Sequence, residues 1–147
     1  MNKKIILALN VICPIIIGAF IYYLVSPDVI FVKKIDAMID GVINIHITPI
    51  DNIFFKLVRN YFLDMMWGYA LVFTLFFVIG NNVEKVEKIF WTAFIFSAAM
   101  EIIQITPFVQ GTFDVFDIVV EFLAEVIAAF IINGIYLREE FQDEKEN

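Results

Sequence analysis

The pattern of hydrophobic and polar positions divides this chain into four long apolar runs, with more polar segments between them. The runs cover about residues 5–25, 61–79, 89–105 and 113–136. A helix needs roughly 20 apolar residues to cross the hydrocarbon core of a bilayer, and in lipid it satisfies its own backbone groups. The pattern predicts an all-α, polytopic membrane protein with four transmembrane helices in a single transmembrane domain, 1–137, followed by a charged cytoplasmic tail, 138–147.

The first apolar run could be a cleaved signal peptide or a retained helix. Lys3 and Lys4 precede it, and it ends at Val25 without the small residues that mark a cleavage site. A signal peptide also has a shorter apolar region. We therefore predict a retained helix that is distorted near Pro14.

The segment 28–59 is amphipathic at helical spacing and too highly charged to cross a bilayer. Ser26 and Pro27 match the cap and first-turn signals of a helix start. The pattern predicts a helix in the headgroup region, and Thr48-Pro49 predicts the start of a second short interfacial piece. A covered loop without membrane contact is the alternative. One face of the segment is apolar, with Phe31, Val32, Ile35, Met38, Ile39 and Val42 opposite Lys33, Lys34, Asp36 and Asp40.

Basic residues indicate how the chain is oriented in the plasma membrane. The amino terminus, the 81–88 connector and the carboxyl tail carry two Lys or Arg each, the segment 26–60 carries four, and the 106–112 turn carries none. Short loops rich in Lys and Arg remain in the cytoplasm. The distribution predicts cytoplasmic amino and carboxyl termini.

Polar side chains gather at the span ends that antiparallel connectivity brings to one face of the membrane. With cytoplasmic termini that face is extracytoplasmic. A charged group inside hydrocarbon costs at least a few kcal/mol, which favours a functional use. The pattern predicts a polar binding pocket, and its candidate residues are Arg59, Asp64, Glu101, Gln104, Asp114, Asp117, Glu121 and Glu125.

Four carboxylates on the last span form a stripe. Asp114, Asp117, Glu121 and Glu125 are separated by three, four and four residues, which places them on one helix face. At 1.5 Å per residue, Glu125 lies roughly 16 Å from Asp114 along the axis. Two other polar faces are expected to turn toward the stripe, namely Ser97 with Glu101 and Gln104, and Asn60 with Asp64 and Trp67.

Each candidate also has a purely structural interpretation. Asp114 and Asp117 could cap the fourth span, because carboxylates bind the exposed amides of a helix start. Glu101 and Gln104 could form a structural interhelical hydrogen-bonded pair. Arg59 is the nearest basic residue for an ion pair with Asp64.

Glu121 and Glu125 lie too deep in the span to cap a helix. Burial favours the neutral form of a carboxyl group, so we expect one or both to be protonated at neutral pH. A protonated Glu bonded to Ser97 or Gln104 would then act only as a structural contact between helices.

Composition excludes several function classes. Hydrophobic residues make up 61% of the chain and charged residues 18%, which is unlike a soluble domain. The net charge is −7 without a basic stripe, so nucleic acid is not an expected partner. Cys13 is the only cysteine, which excludes an internal disulfide, and His46, the only histidine, matches an ordinary loop residue better than a metal ligand.

The sequence offers little support for enzymatic chemistry. Zinc-type spacing, a glycine-rich phosphate loop and a Ser-His-Asp set are all missing from the sequence. We expect no cofactor, and a divalent cation held by the clustered carboxylates is the open alternative.

The third and fourth spans carry a recognisable motif. Glu101-Ile102-Ile103-Gln104, a short turn, and Asp114 opening the next span resemble the signature of VanZ-like integral membrane proteins. Arg59 to Asp64 followed by Trp67 is also similar to some members, and the similarity covers roughly residues 55–130. The resemblance implies a protein of the cell envelope, in a family whose named member is associated with lowered susceptibility to the glycopeptide antibiotic teicoplanin.

The chain departs from the family pattern at three positions. Gln110 stands where many members have Arg, Glu121 where they have Asn, and Ala124 where Gly is common. An anion site that depends on that Arg is therefore in doubt, and the pocket is more acidic.

Three function classes remain open. The first is an envelope protein whose pocket binds a lipid-linked cell-wall precursor, a lipid head group or an envelope protein. The second is an ion-coupled or proton-coupled transport component, built as a homo-oligomer, that uses the carboxylate stripe. The third is a metal-dependent membrane enzyme acting on a phosphate or ester.

Overall fold

A computed structural model of the chain describes residues 3–38, 46–47, 52–79, 83–106 and 113–146, and every regular element within these ranges is helical. The elements in chain order are α1 (Lys3–Val25), α2 (Ile30–Met38), α3 (Ile53–Ile79), a 3-10 turn (Val83–Lys85), α4 (Val86–Ile103) and α5 (Val115–Glu146). The all-α prediction is confirmed.

Helix α1 is continuous through Pro14 and packs chiefly on α3. A Cβ at Gly18 would lie 3.0 Å from the Met66 Cβ, so the two helices cross closely at this glycine. The Tyr69 hydroxyl donates a hydrogen bond of 2.6 Å to the Asn10 side-chain oxygen. A small residue at the crossing and a polar pair beside it are the usual means of joining helices in lipid.

Helix α2 is short and amphipathic, with Val32 buried and Phe31 and Met38 strongly exposed. It begins at Ile30, later than predicted, and the predicted cap at Ser26 is wrong, because the Ser26 hydroxyl makes no hydrogen bond. The Ser26 carbonyl instead accepts from the Val29 amide at 3.2 Å and forms a turn. The predicted piece at Thr48-Pro49 lies outside the described residues.

Helix α3 is longer than the apolar run that predicted it. It begins at Ile53, where the Asn52 side chain accepts a hydrogen bond of 3.0 Å from the Phe54 amide and acts as the cap. The separate interfacial piece that we predicted before residue 60 is therefore wrong for residues 53–59, which are the first two turns of α3. Charged residues end a hydrophobic pattern without ending a helix, because Lys and Arg are good helix formers.

The core lies where α3, α4 and α5 meet. Small side chains lie within this core, where Ala93 of α4 and Ala128 of α5 are fully buried. Aromatic rings fill the space around them, among which Phe122 packs against both Phe90 and Phe94 with ring centroids 5.6 and 5.2 Å apart. Tight packing of this kind holds the bundle where water is absent.

The α3–α5 crossing is centred on Gly68. A Cβ at this position would lie 3.1 Å from the Glu121 carbonyl oxygen and 3.2 Å from the Glu121 Cα. No residue larger than glycine fits here without moving the backbone of α5. The same crossing places Asp64, one helical turn before Gly68, beside the carboxylate stripe of α5.

Among the residues that the structure describes, two helices are long and apolar enough to cross a membrane, namely Lys4–Val25 and Ile53–Ile79. Only 11% and 28% of their apolar windows are buried inside the protein. Large apolar side chains such as Ile16, Phe20 and Val78 are exposed on their surfaces. The core helix of a soluble protein would bury such side chains against the rest of the fold. Here they lie on the outer surface of the helices.

Candidate functional site

The end of α1, the first turns of α3 and the start of α5 enclose a cavity of about 340 Å³. The cavity lies between three elements that are far apart in the sequence, and seven of its eight lining residues are polar or charged. They are Tyr22 and Ser26 from the end of α1, Arg59, Asn60 and Tyr61 from α3, and Asp114 and Asp117 from the start of α5, with Val29 as the eighth.

Asp114 has a structural role and also lines the cavity. Its Oδ1 accepts a hydrogen bond of 2.9 Å from the Phe116 amide, as expected of a residue that caps α5. Its Oδ2 accepts a hydrogen bond of 3.1 Å from the Tyr61 hydroxyl on α3. The cap therefore also joins the starts of α3 and α5 at the cavity wall.

Four carboxylates from three helices lie together beneath Asp114. Asp117 and Glu121 of α5 each interact electrostatically with Asp64 of α3 and Glu101 of α4. Glu101 and Glu121 are only 6% and 4% exposed, and one carboxyl oxygen of each has no hydrogen-bond partner. Burying a polar atom without a hydrogen-bond partner costs about 1–3 kcal/mol. Burial of these carboxyl groups therefore lowers the free energy of unfolding substantially.

Gln104 lies at the end of α4 and acts on Glu101. Its Nε2 donates a hydrogen bond of 2.8 Å to Glu101 Oε1, a contact between residues three apart on the same helix face. The pair therefore exists, but within one helix rather than between helices. It fixes the direction of the Glu101 carboxyl group.

Glu125 lies deepest in the stripe and is fully buried. Its Oε1 is 2.7 Å from the Ser97 Oγ on α4, and its Oε2 has no hydrogen-bond partner. The predicted contact between a deep Glu and Ser97 is thus present, whereas Gln104 bonds to Glu101 and not to Glu121 or Glu125. Ser97 and Glu125 form a polar contact within the apolar α4–α5 interface.

Arg59 lines the cavity and forms no ion pair with Asp64 within the part of the chain that the structure describes. The predicted pair is wrong for a geometric reason. Both residues belong to the continuous helix α3, and residues five apart lie about 140° apart around a helix. Arg59 instead lines the same cavity as Asp114 and Asp117.

A second polar cluster, which sequence reasoning missed, joins the end of α1 to α2. Asp36 accepts a hydrogen bond of 2.6 Å from the Tyr23 hydroxyl and lies 3.0 Å from His46 Nε2, while His46 Nδ1 lies 3.2 Å from the Tyr23 carbonyl oxygen. The hydrogen bond from the Tyr23 hydroxyl lowers the pKa of the Asp36 carboxyl most, burial opposes this effect, and His46 lowers the pKa further. His46 is thus a side-chain partner of Asp36 rather than an ordinary loop residue.

The Asp36 cluster should make stability depend on pH at the acid end. Because the native pKa of Asp36 is lowered, its contribution is complete above the ordinary carboxyl pKa of 3.8 and is lost as the pH falls below that value. We expect Asp36→Asn to lower Tm at pH 7, and we expect this difference from the unchanged protein to shrink as the pH falls below 3.8. Thermal unfolding in detergent at several pH values measures the difference.

Asp28→Asn is the matched control, since Asp28 is exposed and precedes α2 on the same side of the protein. It should leave Tm unchanged at every pH. A difference between Asp36→Asn and the unchanged protein that persists or grows toward low pH would contradict the assignment.

Comparison with known proteins identifies no relative of this chain. Protein-family models, curated proteins and solved structures give no match to the chain. Among the described residues, no group of three or more His, Cys, Asp or Glu side chains is arranged to hold a metal ion.

Proposed function

We propose that this chain is a four-span membrane protein of the cell envelope whose polar cavity binds a lipid head group. The observation that carries the proposal is the cavity itself, about 340 Å³ in volume and polar on nearly every side, between the ends of three helices with apolar outer surfaces. The resemblance to VanZ-like proteins supports an envelope role and an extracytoplasmic position for the cavity.

Helices α4 and α5 complete the proposed four spans. Both expose large apolar side chains on their outer faces, for example Ile95 and Phe96 on α4 and Leu123 and Phe130 on α5. The carboxyl groups of Glu101 on α4 and of Asp117 and Glu121 on α5, in contrast, interact electrostatically with Asp64 on α3. An inward polar face with an outward apolar surface is the arrangement expected in lipid.

The size of the cavity favours a head group over the larger ligands. Small-molecule sites usually measure roughly 300–1,000 Å³, so a cavity of about 340 Å³ is at the lower limit. A phosphate with a short polar substituent is of suitable size, whereas the sugar and peptide of a lipid-linked cell-wall precursor would extend well beyond it. We therefore favour the head group among the ligand classes that the sequence leaves open.

The cavity also favours binding over proton relay. A relay needs neighbouring carboxyl groups to exchange protons, and those of the stripe share no direct hydrogen bond in the described part of the chain. The polar residues gather instead at the opening between α1, α3 and α5. The geometry therefore supports a binding site at one face of the membrane more strongly than a path through it.

Filling the cavity should remove bound lipid. Asn60 is exposed and lines the cavity, so Asn60→Trp places a large ring in the space without disturbing the core. Native mass spectrometry of protein purified in mild detergent is expected to show bound phospholipid, reduced about tenfold in this variant.

Thr92→Trp is the control, because Thr92 is exposed on α4 away from the cavity. It should retain lipid at the level of the unchanged protein. Equal lipid in the two tryptophan variants, or no bound phospholipid in the unchanged protein, would refute head-group binding at this cavity.

A further inference from the structure

We infer that the head group is zwitterionic, with its phosphate on Arg59 and a primary ammonium on Asp117. This inference rests on the proposed function and specifies the chemistry of the ligand at the same cavity. It depends on two residues of opposite charge, Arg59 and Asp117, that line the cavity and have no ion-pair partner among the residues that the structure describes.

Arg59 is the cationic group. It is half-buried, lines the cavity and makes no ion pair in the described part of the chain. A guanidinium presents five N–H donors in a planar fork, which matches the oxygens of a phosphate better than a lysine does. An anion that enters the cavity therefore has one evident partner.

Asp117 is the open anionic group. Both oxygens of the neighbouring Asp114 already accept hydrogen bonds, from the Phe116 amide and the Tyr61 hydroxyl. The Asp117 carboxyl group lines the same cavity and accepts no hydrogen bond within the residues that the structure describes. Asp64 and Glu101 also interact electrostatically with it. A group with N–H donors and a positive charge fits this side of the cavity.

One molecule that carries both charges satisfies the cavity better than either charge alone. An anionic head group without a cation would meet the Asp114 and Asp117 carboxyl groups, which repel it. A quaternary ammonium neutralises the negative charge but has no N–H to donate. A primary ammonium supplies charge and donors together, and charge-assisted hydrogen bonds are about twice as strong as neutral ones. The chemistry therefore indicates a phosphate ester of ethanolamine.

A membrane lipid is the source that the surroundings favour. Ile30 and Phe31 of α2 follow the Ser26 turn in the chain, and Phe54 and Leu57 precede Arg59 on α3. All four side chains are exposed and apolar. Acyl chains can cover such side chains, whereas a free head group would leave them in contact with water.

The test measures how strongly full-length protein binds phospholipids that differ only in the head group. Protein stripped of lipid in detergent is titrated with phosphatidylethanolamine, phosphatidylcholine and phosphatidylglycerol of the same acyl chains. We expect phosphatidylethanolamine to bind at least about tenfold more tightly than the other two. Water-soluble glycerophosphoethanolamine is the fourth ligand and is expected to bind much more weakly than the lipid.

Charge variants assign the two ends of the head group. Asp117→Asn should abolish the preference for phosphatidylethanolamine, and Asp117→Glu should retain it. Arg59→Gln should weaken binding of all three lipids. Asp28→Asn and Lys56→Gln remove the same charges outside the cavity lining and should change neither affinity nor preference.

The outcomes separate this inference from the proposed function. Equal affinity for the three lipids, or a preference for phosphatidylglycerol, overturns the zwitterionic assignment and leaves head-group binding intact. Glycerophosphoethanolamine binding as tightly as the lipid overturns the lipid source. An unchanged preference in an Asp117→Asn variant that retains the Tm of the unchanged protein overturns the role of Asp117.

Discussion

Gly68→Leu is expected to destabilise the helical bundle by about 3 kcal/mol, the upper end of the usual cost of overpacking. Even a methyl group at position 68 would lie 3.1 Å from the Glu121 carbonyl oxygen, and the atoms in the way belong to the backbone of α5. Backbone cannot rotate aside as a side chain can, so α3 and α5 must separate. Separation would also disrupt the carboxylate cluster, because Glu121 lies at the crossing.

Gly134→Leu provides the matched control. Gly134 is an exposed helical glycine of α5, and a Cβ at that position would meet no atom within 4 Å. Both substitutions gain the same helix propensity, so the difference between them isolates the packing cost. Thermal or SDS-induced unfolding in detergent measures both. Equal stability of the two leucine variants would show that the α3–α5 crossing is not close.

Ser97→Ala is expected to destabilise the protein by about 1–3 kcal/mol, because it leaves both oxygens of the fully buried Glu125 carboxyl group without a partner. Adding Glu125→Leu should restore the stability to within about 1 kcal/mol of the unchanged protein or above it, since an apolar pair leaves nothing unsatisfied. The same unfolding assay compares the single and double variants.

Thr92→Ala serves as the control for loss of a hydroxyl on α4. Its hydroxyl donates to the Lys88 carbonyl at 2.7 Å, but the residue is exposed, so little stability should be lost. A double variant less stable than Ser97→Ala would mean that Glu125 itself stabilises the interface. Stability alone would then explain why a Glu occupies position 125.

The arrangement of the carboxylates on α5 could be predicted from the sequence because it depends on their spacing alone. Carboxylates three and four residues apart share a helix face wherever the helix lies, and a charged face in an apolar helix turns inward. The contact of Ser97 with Glu125 follows the same logic, since it matches two polar faces across one interface. Helix geometry therefore sufficed for the centre of the candidate site.

Hydropathy misplaces the start of α3, because it locates the apolar part of a helix and not its ends. The sequence signal for the start is Asn52, whose side chain caps the helix and which lies nine positions before the predicted span of 61–79. With residues 53–59 placed in the same helix as Asp64, Arg59 lies on a different helix face and cannot pair with Asp64.

Long-range contacts account for the remaining misses. His46 and Tyr23 are 23 residues apart, and no pattern links them before the chain turns back at Ser26. The close approach at Gly68 depends on how α3 crosses α5, which the sequence of either helix leaves open. Contacts of this kind depend on tertiary geometry, and periodicity within one element does not reveal them.

The bond between Asn10 and Tyr69 has a consequence for how the protein is made. The two residues are 59 positions apart, so α1 leaves the ribosome well before its partner on α3 exists. During that interval the Asn10 side-chain amide can still donate to the Ile6 carbonyl, as it does at 2.8 Å in the folded protein. Its side-chain oxygen cannot yet accept the hydrogen bond from the Tyr69 hydroxyl. Docking of α1 through this bond can therefore occur only after residue 69 of α3 has been synthesised.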